Sequence, residues 1–474
     1  MQKKQLGMRL CRKGQFKIKI RKLRFKRRKR IVRGVPGLIR RIKGVHKAVP
    51  SMAVAFYAII PTLNLMLVRI NPSYEGLMAK MYVFGSVLVI LIALLHKQKR
   101  INTVPLVLLF SILTAYLLTP DYGDKIELTT PYLLMFTLIP LAIPQFIKVD
   151  ARILSLFAMV VPSFGVLFPT KLFVLNSENV IGMDFTYSLL IPVIATIIYV
   201  VQYRDKDSWG WKLFSIPFIL ANSIYLFYML LFGSRAPSMS VLLCLLFLFI
   251  CHVDKHARGI RLNRKRLLWL LLFFLVIGLT FITIVNALSV VLSNNGIDSG
   301  SLEKLSRLSS EGDLSNGRRG IVNNVLGKFW ESPLIGYGLA SSPYVIDDSY
   351  PHNFILQFLL DGGILLTTIV LAPMCFYLYK WSKRCNMNDF SIICLFFFSS
   401  VIGALFSLDV WMNARLWLFF GFLFSRFMSY NRFPLRVKRK KPLPVKQICI
   451  ERDGTYIGND VDLQRREVFA HTAR

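Results

Sequence analysis

Apolar runs of roughly 17–25 residues, the length of a helical membrane span, recur along this chain between short polar breaks. That pattern constrains the fold more than any other feature. Lipid offers no partner to a backbone N–H or C=O, so such a run crosses a bilayer as a helix. A transmembrane barrel would show short alternating segments instead. The chain has 474 residues and is 54% hydrophobic, which sets it apart from ordinary soluble domains. The runs predict about twelve spans. Their approximate limits are 52–69, 78–95, 102–119, 131–147, 153–169, 185–202, 213–232, 236–252, 267–288, 353–379, 390–407 and 412–428. The expected fold class is all-α: a polytopic membrane helix bundle with a long external loop that contains a short amphipathic helix.

Charge sets the expected orientation. The formal net charge is +35, and residues 1–50 hold twenty Lys or Arg with no Asp or Glu. A block such as Arg21–Arg30 suits nucleic acid or an anionic lipid surface. Beside a first span the lipid reading is the better one, and no nucleic-acid partner is expected. Basic breaks at 96–100, 148–152, 204–212, 252–266 and 380–384 alternate with acidic or mixed ones at 121–127, 178–184 and 347–348. Basic flanks stay in the cytoplasm, so both termini are expected inside and 289–352 outside. The expected division is a basic cytoplasmic tail over 1–50, spans over 51–288, an external catalytic loop over 289–352, spans over 353–430 and a cytoplasmic tail over 431–474. The first apolar run starts too late for a signal peptide. Seven cysteines without CxxC spacing, none in an expected outer loop, argue against a disulfide framework and a zinc site.

The outer loop is long enough to carry function. Within it Ile321, Val322, Val325, Leu326, Phe329 and Trp330 recur at helical spacing. They predict an amphipathic helix lying on the membrane or on the bundle, capped by Ser315 or Asn316 and ended by Pro333. Of six histidines, His352 alone falls on the expected outer side, at the start of a span. A helix N-terminus disfavours imidazolium, which leaves the ring available as a base. An interfacial capping histidine is the structural alternative. Arg318 sits in the first turn of the amphipathic helix, where guanidinium and backbone N–H groups suit a phosphate. Contact with lipid headgroups is its alternative, and Arg319 lies beside it. Arg235 follows Gly233-Ser234 between two apolar runs, where an arginine needs solvent, a pair or a ligand. Arg415, near Asp409, is a weaker outer-side candidate, first expected in an Asp–Arg pair. Tyr337 and Tyr350 suit sugar stacking or an interfacial aromatic belt. The outer carboxylates Glu178, Asp184, Asp313, Glu331, Asp347, Asp348 and Asp361 show no spacing that marks an acid–base dyad.

Asn316-Gly317-Arg318, the run from Glu331 to Gly338, Pro351-His352-Asn353 and Gly362-Gly363 share one order and spacing. Together they resemble the bacterial O-antigen ligase and polysaccharide polymerase superfamily, over about a tenth of the chain. Gly233-Ser234-Arg235 also recurs there. The resemblance implies a glycosyltransferase of the bacterial inner membrane whose donor is an oligosaccharide on undecaprenyl pyrophosphate, with no nucleotide sugar, metal or cofactor. It implies His352 as the base and Arg235 and Arg318 on the pyrophosphate, with Arg319, Asn353, Arg415 and Tyr337 in support. Inverting displacement by an acceptor hydroxyl follows. Expected partners are the lipid-linked donor, a glycan acceptor, membrane lipids, a flippase and chain-length regulators. Polymerisation of repeat units is the favoured reaction, and ligation to lipid A–core is the alternative. A flippase or other transporter is the rival of a different class, though it would place its charges nearer the midplane.

Overall fold

The long apolar runs become helices, because only a helix satisfies the backbone of so apolar a segment internally. A computed structural model describes residues 48–68, 71–74, 76–95, 102–120, 128–167, 183–232, 235–253, 259–272, 318–346 and 350–430, with positions 287, 290, 291 and 294. All lie in the unit that ends at Tyr430; the tail expected over 431–474 and nearly all of that over 1–50 fall outside the described residues. In chain order the helices are α1 (Ala48–Val68), α2 (Leu77–Leu95), α3 (Thr103–Leu117), α4 (Thr130–Phe146), α5 (Ala151–Ser163), α6 (Met183–Gln202), α7 (Trp209–Phe232) and α8 (Arg235–Ile250). Further on come α9 (Arg318–Glu331), α10 (Ser342–Val345), α11 (Phe354–Arg384), α12 (Met387–Phe406) and α13 (Ala414–Tyr430).

Among the described residues, five helices are long and apolar enough to cross a membrane: α1, α2, α7, α11 and α12. Shorter apolar helices, α3, α4, α5, α6, α8 and α13, stand at six further expected spans. Of the twelve expected spans, five thus meet both length and composition among the described residues, six carry shorter apolar helices, and 267–288 falls largely outside the described residues. Irregular turns interrupt some of the rest. Helix α4 carries a π turn over Leu134–Leu138, followed by Pro140 and Pro144, which lack the N–H of a regular turn. The basic break after α8 brings a second difference. Strands β1 (Cys251–Val253) and β2 (Ile260–Leu262) pair there as a small antiparallel hairpin, with Cys251 opposite Leu262.

Helix α13 packs against α4 and α11, and α5 against α6. Within the bundle, where α11 meets α13, lies an aromatic cluster. The indoles of Trp411 and Trp417 stack at 5.6 Å, and Phe358 meets Trp411 edge-on at 5.8 Å. All three side chains are buried. Helix α9 packs on α11 and starts and stops close to the expected positions. Val325 and Phe329 from its apolar stripe are buried, while Leu326 and Trp330 are exposed. The expected cap residues Ser315 and Asn316 lie outside the described residues.

Candidate active site

The glycine-rich segment after α9 and the Gly-Gly pair in α11 are two halves of one joint. Helix α11 leaves helical geometry at Gly362 (φ −137°, ψ 15°) and Gly363 (φ 60°, ψ −161°). A break exposes backbone groups that a helix would otherwise satisfy. The segment 333–338 takes them up. The Tyr337 N–H donates to the Leu360 carbonyl at 2.9 Å and the Gly338 N–H to that of Asp361 at 2.8 Å. In return the Ile364 N–H donates to the Pro333 carbonyl at 2.8 Å and the Leu365 N–H to that of Leu334 at 3.2 Å. Such crossing leaves no room for side chains. A Cβ on Gly336 (φ 65°) would sit 2.4 Å from the Leu360 oxygen, and one on Gly363 would sit 2.4 Å from the Leu334 oxygen. Positive φ adds strain for any other residue at both positions.

Tyr337 locks the joint to α9. Its hydroxyl lies 3.0 Å from both the Lys328 carbonyl and Glu331 Oε2. Lys328 Nζ also reaches the Glu331 carboxylate at 3.0 Å. The hydrogen bond from Lys328, then that from Tyr337, holds the Glu331 carboxyl below its ordinary range.

The Pro-His-Asn corner forms the next layer. Asn353 caps α11: its Oδ1 accepts from the N–H of Ile355 at 2.9 Å and of Leu356 at 3.3 Å. Its Nδ2 donates to the Leu405 carbonyl at 3.2 Å. His352 precedes the cap in the left-handed region (φ 55°), a conformation that costs a non-glycine residue about 1–2 kcal/mol. Its half-buried ring meets Tyr350 edge-on at 4.4 Å. Arg318, at the first position of α9, donates from Nη1 to the Phe406 carbonyl. Asn353 and Arg318 therefore hold consecutive carbonyls at the C-terminal end of α12. Two motifs far apart in sequence are brought to one corner.

Behind the corner runs a polar chain that the spacing of charges did not reveal. Gln357 donates to Asp409 Oδ2 at 2.8 Å and accepts from the Val410 N–H at 3.0 Å. Asp409 Oδ1 accepts from the N–H groups of Trp411 at 2.6 Å and Met412 at 2.9 Å, closing a local turn. The Trp411 indole donates to Asp361 Oδ2 at 2.5 Å, and the Ser341 hydroxyl to Asp361 Oδ1 at 3.2 Å. Asp361 is buried, with both carboxylate oxygens engaged, so it is a structural acceptor under the joint. A carboxylate just before a Gly-Gly pair was the one local sign of it.

The other expected residues separate. Arg235 opens α8, and its side chain lies outside the description. Arg319 is exposed next to Arg318. Arg415 is a core residue rather than an outer one. Its guanidinium donates to the carbonyls of Ala58 at 3.1 Å, Tyr187 at 2.6 Å and Ser188 at 3.3 Å, where a pair with Asp409 was expected. Backbone carbonyls of α1 and α6 take up the guanidinium, while Asp409 is engaged by Gln357 and its own turn.

Residues 218–371 match the family model described as O-antigen ligase. Over that third of the chain the sequence is similar to the O-antigen ligase and polymerase superfamily, as its motifs led one to expect. No match was found among curated proteins. The O-antigen ligase match contains Arg235, Arg318, Arg319, Tyr337, His352, Asn353 and both halves of the joint. Arg415, Asp409 and the carbonyls of Leu405 and Phe406 lie beyond it, so the matched segment docks on a part of the bundle outside the match. The match supports a glycosyltransferase-like membrane enzyme of O-antigen assembly. The corner offers groups of that kind: an imidazole next to the cap residue Asn353, and a half-buried guanidinium on the carbonyl adjacent to the one Asn353 holds.

Proposed function

We propose that this chain polymerises oligosaccharide repeat units carried on undecaprenyl pyrophosphate, forming O-antigen, capsule or exopolysaccharide. The observation that carries the reading is the meeting of Arg318 and Asn353 on the adjacent carbonyls of Phe406 and Leu405. It brings the residue after the Asn-Gly pair and the neighbour of His352 to one membrane-helix end. His352 takes the proton of the acceptor hydroxyl, whose oxygen attacks the anomeric carbon with inversion. Undecaprenyl pyrophosphate leaves, its charge met by Arg318 and Arg235. Arg319, Asn353 and Tyr337 shape the site. The enzyme works in the bacterial inner membrane with both termini cytoplasmic, the outer loop holding the site and a flippase supplying donor.

Ligation to lipid A–core or another terminal acceptor is the second reading, favoured by the description of the matched family. One experiment separates the two. The purified full chain is given an undecaprenyl-pyrophosphate oligosaccharide in excess EDTA, with and without lipid A–core. A ladder of repeats from donor alone supports polymerisation. Product confined to lipid A–core supports ligation. Strict dependence on added Mg²⁺ or Mn²⁺ would overturn the arginine clamp.

A further inference from the structure

The joint sits at a depth in the membrane that its position in an outer loop does not suggest. Helix α11 is a membrane span that ends in Lys380, Lys383 and Arg384. At about 1.5 Å per residue, Ile364 stands about 24 Å from Lys380 and about 28 Å from Lys383 along the helix. Both rises fall short of the roughly 30 Å of hydrocarbon in a bilayer, and tilt shortens them further. Ile364 and Leu365, the first residues after the break, therefore lie at or inside the hydrocarbon boundary. The turn formed by 332–336 is hydrogen-bonded into α11 at that level, through Pro333 to Ile364 and Leu334 to Leu365. The turn must share the depth of its partners.

Its surface has the matching chemistry. Leu334 and Ile335 are 68% and 70% exposed, and Ile364 and Leu365, facing outward on the span itself, are 50% and 58% exposed. The apolar surface of the turn thus continues the lipid-facing surface of α11. Trp330, 74% exposed, stands beside it, an indole of the kind that settles at membrane interfaces. The nearest charges, Lys328 and Glu331, neutralise one another. The turn's backbone is largely tied into protein: the Gly336 N–H donates to the Ser332 carbonyl at 3.1 Å, and the Pro333 and Leu334 carbonyls accept from α11, which suits a position at the hydrocarbon boundary rather than deep in lipid.

We infer that the 332–336 turn is a membrane anchor. Leu334 and Ile335 lie among the lipid acyl chains at the N-terminal end of α11, and Trp330 lies at the headgroup boundary. Helix α9 is then a strut about 21 Å long between this anchor and the Arg318 corner, fixing that corner's distance from the leaflet. The inference rests on the span assignment of α11 and not on the proposed reaction.

The test is depth-resolved quenching. An environment-sensitive fluorescent amino acid is placed by codon suppression at Leu334, Ile335, Ile364 or Asn324 in the full chain, in liposomes whose lipids carry nitroxides along the acyl chain. Ile364, on the span, reports that the protein is inserted. Asn324, on the exposed face of α9, is the aqueous reference. Shallow acyl nitroxides should quench Leu334 and Ile335 severalfold more than Asn324 and about as strongly as Ile364. Quenching at 334 and 335 no greater than at 324, with Ile364 quenched normally, would overturn the anchor. Depth is read without turnover. Transfer activity with water-level quenching rejects the anchor alone, and lipid-level quenching without transfer rejects the reaction alone.

Discussion

Arg415 and Arg318 both donate to backbone carbonyls, and comparing their surroundings separates a structural arginine from a site arginine. Arg415 is buried and reaches three carbonyls on two other helices, α1 and α6. Its guanidinium is held on all sides by fixed dipoles, which repay part of the cost of burying the charge. Arg318 stands at the head of a surface helix, half-buried, against the single carbonyl of Phe406 at a helix end. The contact orients the fork without enclosing it. A guanidinium serves an anionic ligand where it is held on one side and exposed on another, and the half-buried Arg318, on the Phe406 carbonyl, suits the role proposed for it.

The largest expected effect tests the structural side of this comparison. Arg415→Leu removes three hydrogen bonds made by a buried guanidinium, each worth about 1.5–3 kcal/mol for a charged donor, although the Ser188 carbonyl keeps the Thr62 hydroxyl. It should lower the amount of folded protein sharply, as read by thermal-shift size exclusion in detergent. A variant as stable as the parent would place Arg415 with the site arginines.

His352→Asn comes next, on the site side. Asparagine accepts the left-handed backbone that His352 adopts, so folding should be kept. Transfer should fall by about 10²–10⁴, the usual cost of a lost general base. Near-normal glycan yield in a quantitative turnover assay would remove His352 from that role.

Arg318→Ala should weaken donor use by about 1.5–3 kcal/mol, the worth of one charge-assisted hydrogen bond, while the protein remains folded. Arg318→Lys should be impaired as well, because it keeps the charge and loses the planar fork. Arg235 should behave in the same way, whereas Arg319→Ala should be close to silent. Donor titrations of the variants check this. A folding defect in Arg318→Ala larger than in Arg415→Leu would reverse the comparison.

The smallest effect lies at the α9 end of the joint. Partners hold the Glu331 carboxyl low in the folded state, so its stabilisation is present above the unfolded carboxylate range and fades as acidification passes through the lowered value. Glu331→Gln should melt slightly lower than the parent near neutrality, and the gap should close as acidification passes below the lowered carboxyl range. A gap that widens in acid would contradict the pairing with Lys328 and Tyr337.

The sequence by itself determined the local features. Apolar run length fixed where α1, α2, α7, α11 and α12 lie, because lipid forces such runs to close their own hydrogen bonds. The apolar stripe and Pro333 fixed α9, and the motif spacing pointed to His352, Arg318 and the superfamily. Local patterns carry that information because helix periodicity and proline act over a few residues. Only the tertiary structure decided what the residues touch. Arg318 meets a carbonyl 88 positions away and Asn353 one 52 positions away. Arg415 reaches Ala58 across 357 positions, which took it out of the outer site and into the core. The joint was half legible. Its glycines announced tight backbone, but which backbone approached, and at what depth, depended on how α11 breaks and how the turn enters that break. Those contacts join segments distant in sequence, and packing across a bundle, not local propensity, brings such segments together.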